Sequence, residues 1–141
     1  VIESKCKPKY HAAASIVSNQ VVALFAEAQA MLMECGFQPE TAMDALKKIF
    51  LGNAQHVAQV GPVKALTGPV QRGDVSTVAK HLSVLEKPKD RLLYLLLSER
   101  LMEVAKKGKA DYQEKDMKDL LDNSYSQLLA EEYSRLKGDR N

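Results

Sequence analysis

Between Lys9 and Glu27 the chain carries no charged side chain, and few folds can house such a stretch. Ala12, Ala13, Ala14, Ile16, Val17, Val21, Val22, Leu24 and Phe25 cover nearly the whole circumference of a helix. A helix that is apolar all round has to be covered all round. Pro8 sits where a first-turn proline is tolerated, and Gly36 closes the run. The polar interruptions His11, Ser15, Ser18, Asn19 and Gln20 argue against a bilayer span. The stretch reads as the central helix of a bundle, or of a bundle plus a partner, with its alanines allowing close approach.

The rest of the sequence is helical as well. Pro39 opens a second helix through Ala42, Leu46, Ile49, Phe50, Val57 and Val60, weakened but not ended by Gly52. Asp74 is a good N-cap for a stripe formed by Val75, Val78, Ala79, Leu82 and Leu85. Pro88 starts a helix whose centre, Leu92 to Leu97, is again apolar on every side, and Gly108 stops it after Lys106 and Lys107. From Met117 onward Leu120, Leu121, Leu128, Leu129 and Leu136 share one face, and the charges between Lys115 and Arg140 form a solvated face opposite. Ser124 and Gln127 have capping-box spacing, which places a break near Asp122 and Asn123. No period-2 strand pattern stands out. The expected fold is all-α, a single domain over residues 1–141 with five to six helices. Two helices buried all round are demanding for a chain of this length, so association, as a homodimer, is expected.

Twenty basic against eighteen acidic residues leave a formal charge of +2, and there is no Trp. That balance excludes an electrostatic case for nucleic acid. Cys6 and Cys35 fit no metal or redox spacing, and two thiols in a helical chain read as reduced and cytoplasmic. Val1 opens neither a signal peptide nor an initiator-Met start, which reads as a fragment or a processed chain.

The fourteen residues Gly61 to Asp74 hold three of the seven glycines and two of the five prolines, marking a shaped connection of the kind that often carries function. Gly68 to Gly73 has P-loop glycine spacing, but Asp74 stands where that motif needs Lys and then a hydroxyl. No Gly-x-Gly-x-x-Gly occurs, so this chain alone has no dinucleotide fingerprint. His11, His56 and His81 are too dispersed for a sequence-readable metal site. His11, Ser15, Ser18, Asn19 and Val22 share a helical face by their spacing. Such a polar strip either satisfies itself in a core or faces a wet cleft. Thr67, Arg72 and Asp74 either orient a ligand or form a self-contained turn with Asp74 as cap and Arg72 solvated.

Lys9-Tyr-His-Ala-Ala-Ala-Ser15, Ser18-Asn19 and Ala65-Leu-Thr-Gly-Pro-Val-Gln-Arg-Gly-Asp74 resemble the C-terminal domain of a family of uncharacterised Rossmann-like proteins. That family is distantly similar to pyrroline-5-carboxylate reductase, ketopantoate reductase and the 6-phosphogluconate dehydrogenase superfamily. The resemblance covers residues 8–107 and leaves 108–141 as a helical extension. It implies a 6-phosphogluconate dehydrogenase C-terminal-domain-like bundle that dimerises. The NAD or NADP cofactor would be held by an N-terminal Rossmann domain that this chain lacks, and the chain alone would be inactive and bind no cofactor. In the 3-hydroxyacid dehydrogenase branch a Lys and an Asn four residues apart meet the substrate, and the matching positions here are Ser15 and Asn19. The resemblance thus implies Asn19 as a catalytic residue, and with the Lys absent His11, or alternatively Tyr10, is the candidate for its acid–base role. Tyr10, Ser15, Thr67 and Arg72 would contact a small-molecule substrate. Because Ser15 replaces the Lys, a rival reading is a non-enzymatic binding or assembly module on a degenerate dehydrogenase scaffold. A helical adaptor unrelated to dehydrogenases is a third.

Overall fold

Five prolines and a set of glycines divide the chain into helices. The computed structural model describes residues 2–138, so Val1 and Arg140 lie outside the described residues. Helix α1 runs Ser4–Glu34, α2 Pro39–Val60, α3 Pro62–Ala65, α4 Pro69–Arg72, α5 Val75–Val84, α6 Pro88–Gly108 and α7 Lys115–Gly138. Every regular element among the described residues is helical. Each of the five prolines lies in the first turn of a helical segment, where its missing N–H leaves no bond unmade. Gly52 lies inside α2 without ending it, as expected.

The Gly61–Asp74 segment is more regular than a loop. It folds into two single-turn helices, each entered through a Gly-Pro pair. Gly61 and Gly68 hold φ of 79° and 99° with extended ψ, a region that residues with a Cβ avoid. The proline that follows each then sets the helical φ. The expected break near Asp122 does not occur, and α7 is continuous. Ser126 Oγ donates to the Asp122 carbonyl and Gln127 to Glu131, so these side chains serve the helix interior rather than a new cap.

The chain divides into two compact units, Val1–Gln55 and His56–Asn141, and each is described by itself. In the N-terminal unit the expectation of all-round burial fails. No residue of α1 is buried, and Val17 and Val22 are 75% and 68% exposed. The reason is supply. Ala42 is the unit's one buried hydrophobic among the described residues, and the segments available to cover α1 are fewer than its apolar sides. The internal contacts present are an edge-to-face pair of Phe25 and Phe50, with ring centres 5.3 Å apart, and a hydrogen bond of 3.0 Å from Gln29 Nε2 to the Pro39 carbonyl. By length and composition α1 is also apolar enough to cross a membrane.

The C-terminal unit has a true core of Val70, Val78, Leu82, Leu95, Met102, Met117, Leu121 and Leu128. Helix α6 packs against α3, α4 and α7, and α7 also packs against α5. The central leucines of α6 are not buried all round either: Leu95 is in the core, whereas Leu96 and Leu97 face outward. A stripe suffices where only one layer of helices is available on each side. Helix α7 is part of this core rather than an appendage, because Met117 and Leu121 are almost fully enclosed. Arg91 on α6 and Glu131 on α7 form an ion pair across the same interface. That hydrogen bond, with a second from Gln127, holds the Glu131 carboxyl below its ordinary value. Leu121→Ala is expected to destabilise the chain by about 2–5 kcal/mol, the usual cost of a deleted core leucine. Urea unfolding followed by circular dichroism would measure it, and a loss within error of zero would place α7 outside the folding unit.

Candidate functional site

The polar strip of α1 centres on an irregularity in the helix. Residues Ile16–Gln20 form a π turn between the α-helical segments Lys7–Ser15 and Val21–Glu34. Inside it Ser18 Oγ donates to the Ala14 carbonyl at 2.7 Å, a back-bond that competes with regular helix. Single π turns within α-helices recur at functional sites. The wide turn alters the register between Ser15 and Asn19, so the 3.6-residue spacing that placed them on one face does not carry through unchanged. Tyr10, His11 and Asn19 are exposed and Ser15 is half-buried. Among the described residues the side chains of His11, Ser15 and Asn19 make no hydrogen bond. Their polar groups are available to solvent or ligand rather than satisfied in a core.

One residue past the π turn an apolar groove begins that spacing could not reveal. Val21, Val22, Phe25, Met43, Phe50 and Leu51 line it with Gln29, Asp44 and Lys47 at hand, around about 560 Å³. Its signal is absent from any local pattern, because Phe25 and Phe50 meet only when α1 and α2 pack.

Thr67 and Arg72 belong to the C-terminal unit. Thr67 is exposed between α3 and α4. Arg72 ends α4, with Nη2 at 4.0 Å from Asp74 Oδ2. It lines a polar pocket of about 230 Å³ with Gln71, Gly73, Lys109, Asp111, Tyr112, Gln113 and Asp116. The strip on α1 and the Thr67–Asp74 segment thus lie in separate units. Tyr112 fixes the wall of the pocket, donating from its hydroxyl to the Val70 carbonyl at 2.6 Å. Burial, aided by the Glu114 charge, raises its phenol above the ordinary value. Sequence reasoning missed Tyr112, whose one signal is an aromatic ring within a polar stretch.

Asp74 is the N-cap its position indicated. Oδ1 accepts from the Thr77 amide at 3.0 Å and Oδ2 from the Thr77 hydroxyl at 2.7 Å. Those bonds, the hydroxyl first, lower the Asp74 carboxyl below its ordinary value. Cys6 and Cys35 are both free and exposed. His81 pairs through Nδ1 with the Tyr94 hydroxyl at 2.7 Å. No group of three or more His, Cys, Asp or Glu suited to a metal occurs among the described residues.

Residues 1–101 match the family described as Domain of unknown function (DUF2520). The chain belongs to this family. Every sequence-derived site residue, from Tyr10 to Arg72, falls inside the DUF2520 match, whereas α7 and the Tyr112 wall lie beyond it. No curated protein and no solved structure matches the chain.

A carboxylate held below its ordinary value in the folded state contributes stability above its unfolded value, and that contribution is lost as pH falls through the folded value. Asp74→Asn should therefore lower the thermal midpoint at neutral pH, with the difference from the parent shrinking in the acid range. Melting curves from neutral to acid pH would show it. A pH-independent difference would mean that the charge on Asp74 adds nothing to its role as a cap.

Proposed function

We propose that this DUF2520 chain is the helical substrate-binding and dimerisation half of a cytoplasmic NAD(P)-dependent oxidoreductase. The observation that carries the reading is the α1 strip. A long, apolar, uncovered helix bears His11, Ser15 and Asn19 around a π turn, with their side chains unpartnered. The resemblance to the dehydrogenase superfamily supplies the chemistry, since it puts Asn19 at the substrate.

The residues of this chain do not fit a dinucleotide. A pyrophosphate site needs a glycine-rich turn between a strand and a helix, and the Gly-Pro turns here join helices instead. In this reading the cofactor, which supplies the hydride, belongs to an N-terminal Rossmann domain. The helical half walls the cleft. The Asn19 amide orients a substrate oxygen by donating to it, and the His11 imidazole serves as the acid–base group. In the C-terminal unit the Arg72 guanidinium is suited to a carboxylate or phosphate. The exposed apolar surface of α1 pairs with a second copy, because a patch of this kind marks an association surface. Polar residues at five positions in its middle favour that use over a membrane crossing.

The rival, a non-enzymatic module on the same scaffold, is favoured by Ser15, a hydroxyl at the position where the related dehydrogenases carry Lys. Turnover of NADH and NADPH by the protein together with its upstream domain separates the two. Under the leading reading Asn19→Ala and His11→Ala each lower turnover by about 10²-fold or more, the scale of a lost acid–base or orienting group, with helix content unchanged. Unaltered turnover in both variants would remove the strip from the active site, and absence of turnover in the parent would favour the rival.

A further inference from the structure

We infer that the pocket beside Arg72 binds a small zwitterion, a molecule that carries an ammonium and a carboxylate on a short skeleton. Charges of both signs surround this one concavity: Arg72 and Lys109 on one hand, Asp111 and Asp116 on the other. Exposed opposite charges gain little by pairing with one another. Lys109, Asp111 and Asp116 form no ion pair among the described residues, and Arg72 only approaches Asp74 at 4.0 Å. A guest with one charge of each sign bridges both sets, whereas an anion or a cation alone meets repulsion from half of the lining.

The walls are held independently of any guest. Gly73 takes a left-handed φ of 72° at the end of α4, which turns the chain back after Arg72. The Tyr112 hydroxyl ties the opposite wall to the Val70 carbonyl, and the Lys106–Glu114 ion pair braces the same connection. The charged groups therefore sit on a preformed frame, which lowers the ordering cost of binding. About 230 Å³ lies below the usual range for drug-sized ligands and suits a guest of a few heavy atoms. Lys109, Asp111 and Asp116 lie beyond the family match, so the site depends on the C-terminal extension.

The pocket lies wholly within the C-terminal unit and needs neither the Rossmann domain nor the α1 strip. Its test therefore uses the 141-residue chain and is separate from turnover. A ¹⁵N-labelled sample is titrated at constant ionic strength with β-alanine, propionate and n-propylammonium, which share a three-carbon skeleton. The amides of Gly73 and Gln113 are followed. β-Alanine is expected to give a saturable shift with an affinity at least about tenfold above either singly charged analogue, a difference of roughly 1.4 kcal/mol. Lys109→Met and Asp116→Asn should each weaken it by a similar factor while the remaining spectrum stays folded. Equal responses to β-alanine and one analogue, a linear unsaturable drift, or unchanged affinity in both variants would overturn the assignment.

Discussion

Apolar helix surface has to be taken out of water, at about 25 cal/mol for each Å² removed, and the two units meet that demand differently. In the C-terminal unit α6 and α7 supply facing stripes, and Leu95, Met102, Met117 and Leu121 close on one another. In the N-terminal unit α1 is apolar on more sides than α2 can serve, and no residue of α1 is buried. This shortfall leaves the apolar surface of α1 open to solvent. A helix left open along its length is either an interface or a cost, and exposed patches of this extent are retained where they meet a partner.

The polar chemistry of α1 gains meaning in that setting. On an ordinary exposed helix His11, Ser15 and Asn19 would be unremarkable surface residues. Here they interrupt an apolar surface that the proposed interface would cover, next to a π turn that holds Ser18 against Ala14. Buried polar groups need partners, so whatever covers α1 also has to satisfy this strip. A polar substrate in a cleft meets that requirement. The Gly-Pro segment is built by the opposite logic, with Gly61 and Gly68 in conformations open to glycine and Asp74 capping the helix that follows. Connecting segments of this kind often carry functional side chains.

Much of the fold was legible in the sequence, because proline and glycine act locally. Pro39, Pro88, Gly36 and Gly108 mark helix ends where the structure has them, and the Asp74 cap follows from side-chain chemistry alone. Three features were not legible. Periodicity says which sides of a helix are apolar but not how many neighbours are available, so burial of α1 was expected where exposure is found. The π turn depends on the hydrogen-bond partner chosen by each amide, which composition does not encode. Ser124 and Gln127 match a cap by spacing, yet the surrounding core contacts of Leu121 and Leu128 keep α7 continuous. For the site, residue types and motif pointed to Asn19 and Arg72. The Phe25–Phe50 groove and the Tyr112 wall come from contacts between distant segments.

We propose that the open face of α1 pairs with a second copy. Sedimentation equilibrium of the chain at micromolar concentration tests it most directly, with Val17→Glu and Val22→Glu as companions, since both positions are among the most exposed apolar residues of α1. The expected result is a dimer in the parent and a shift toward monomer in each variant, with helix content preserved. A parent that sediments as a monomer while remaining folded would contradict the account.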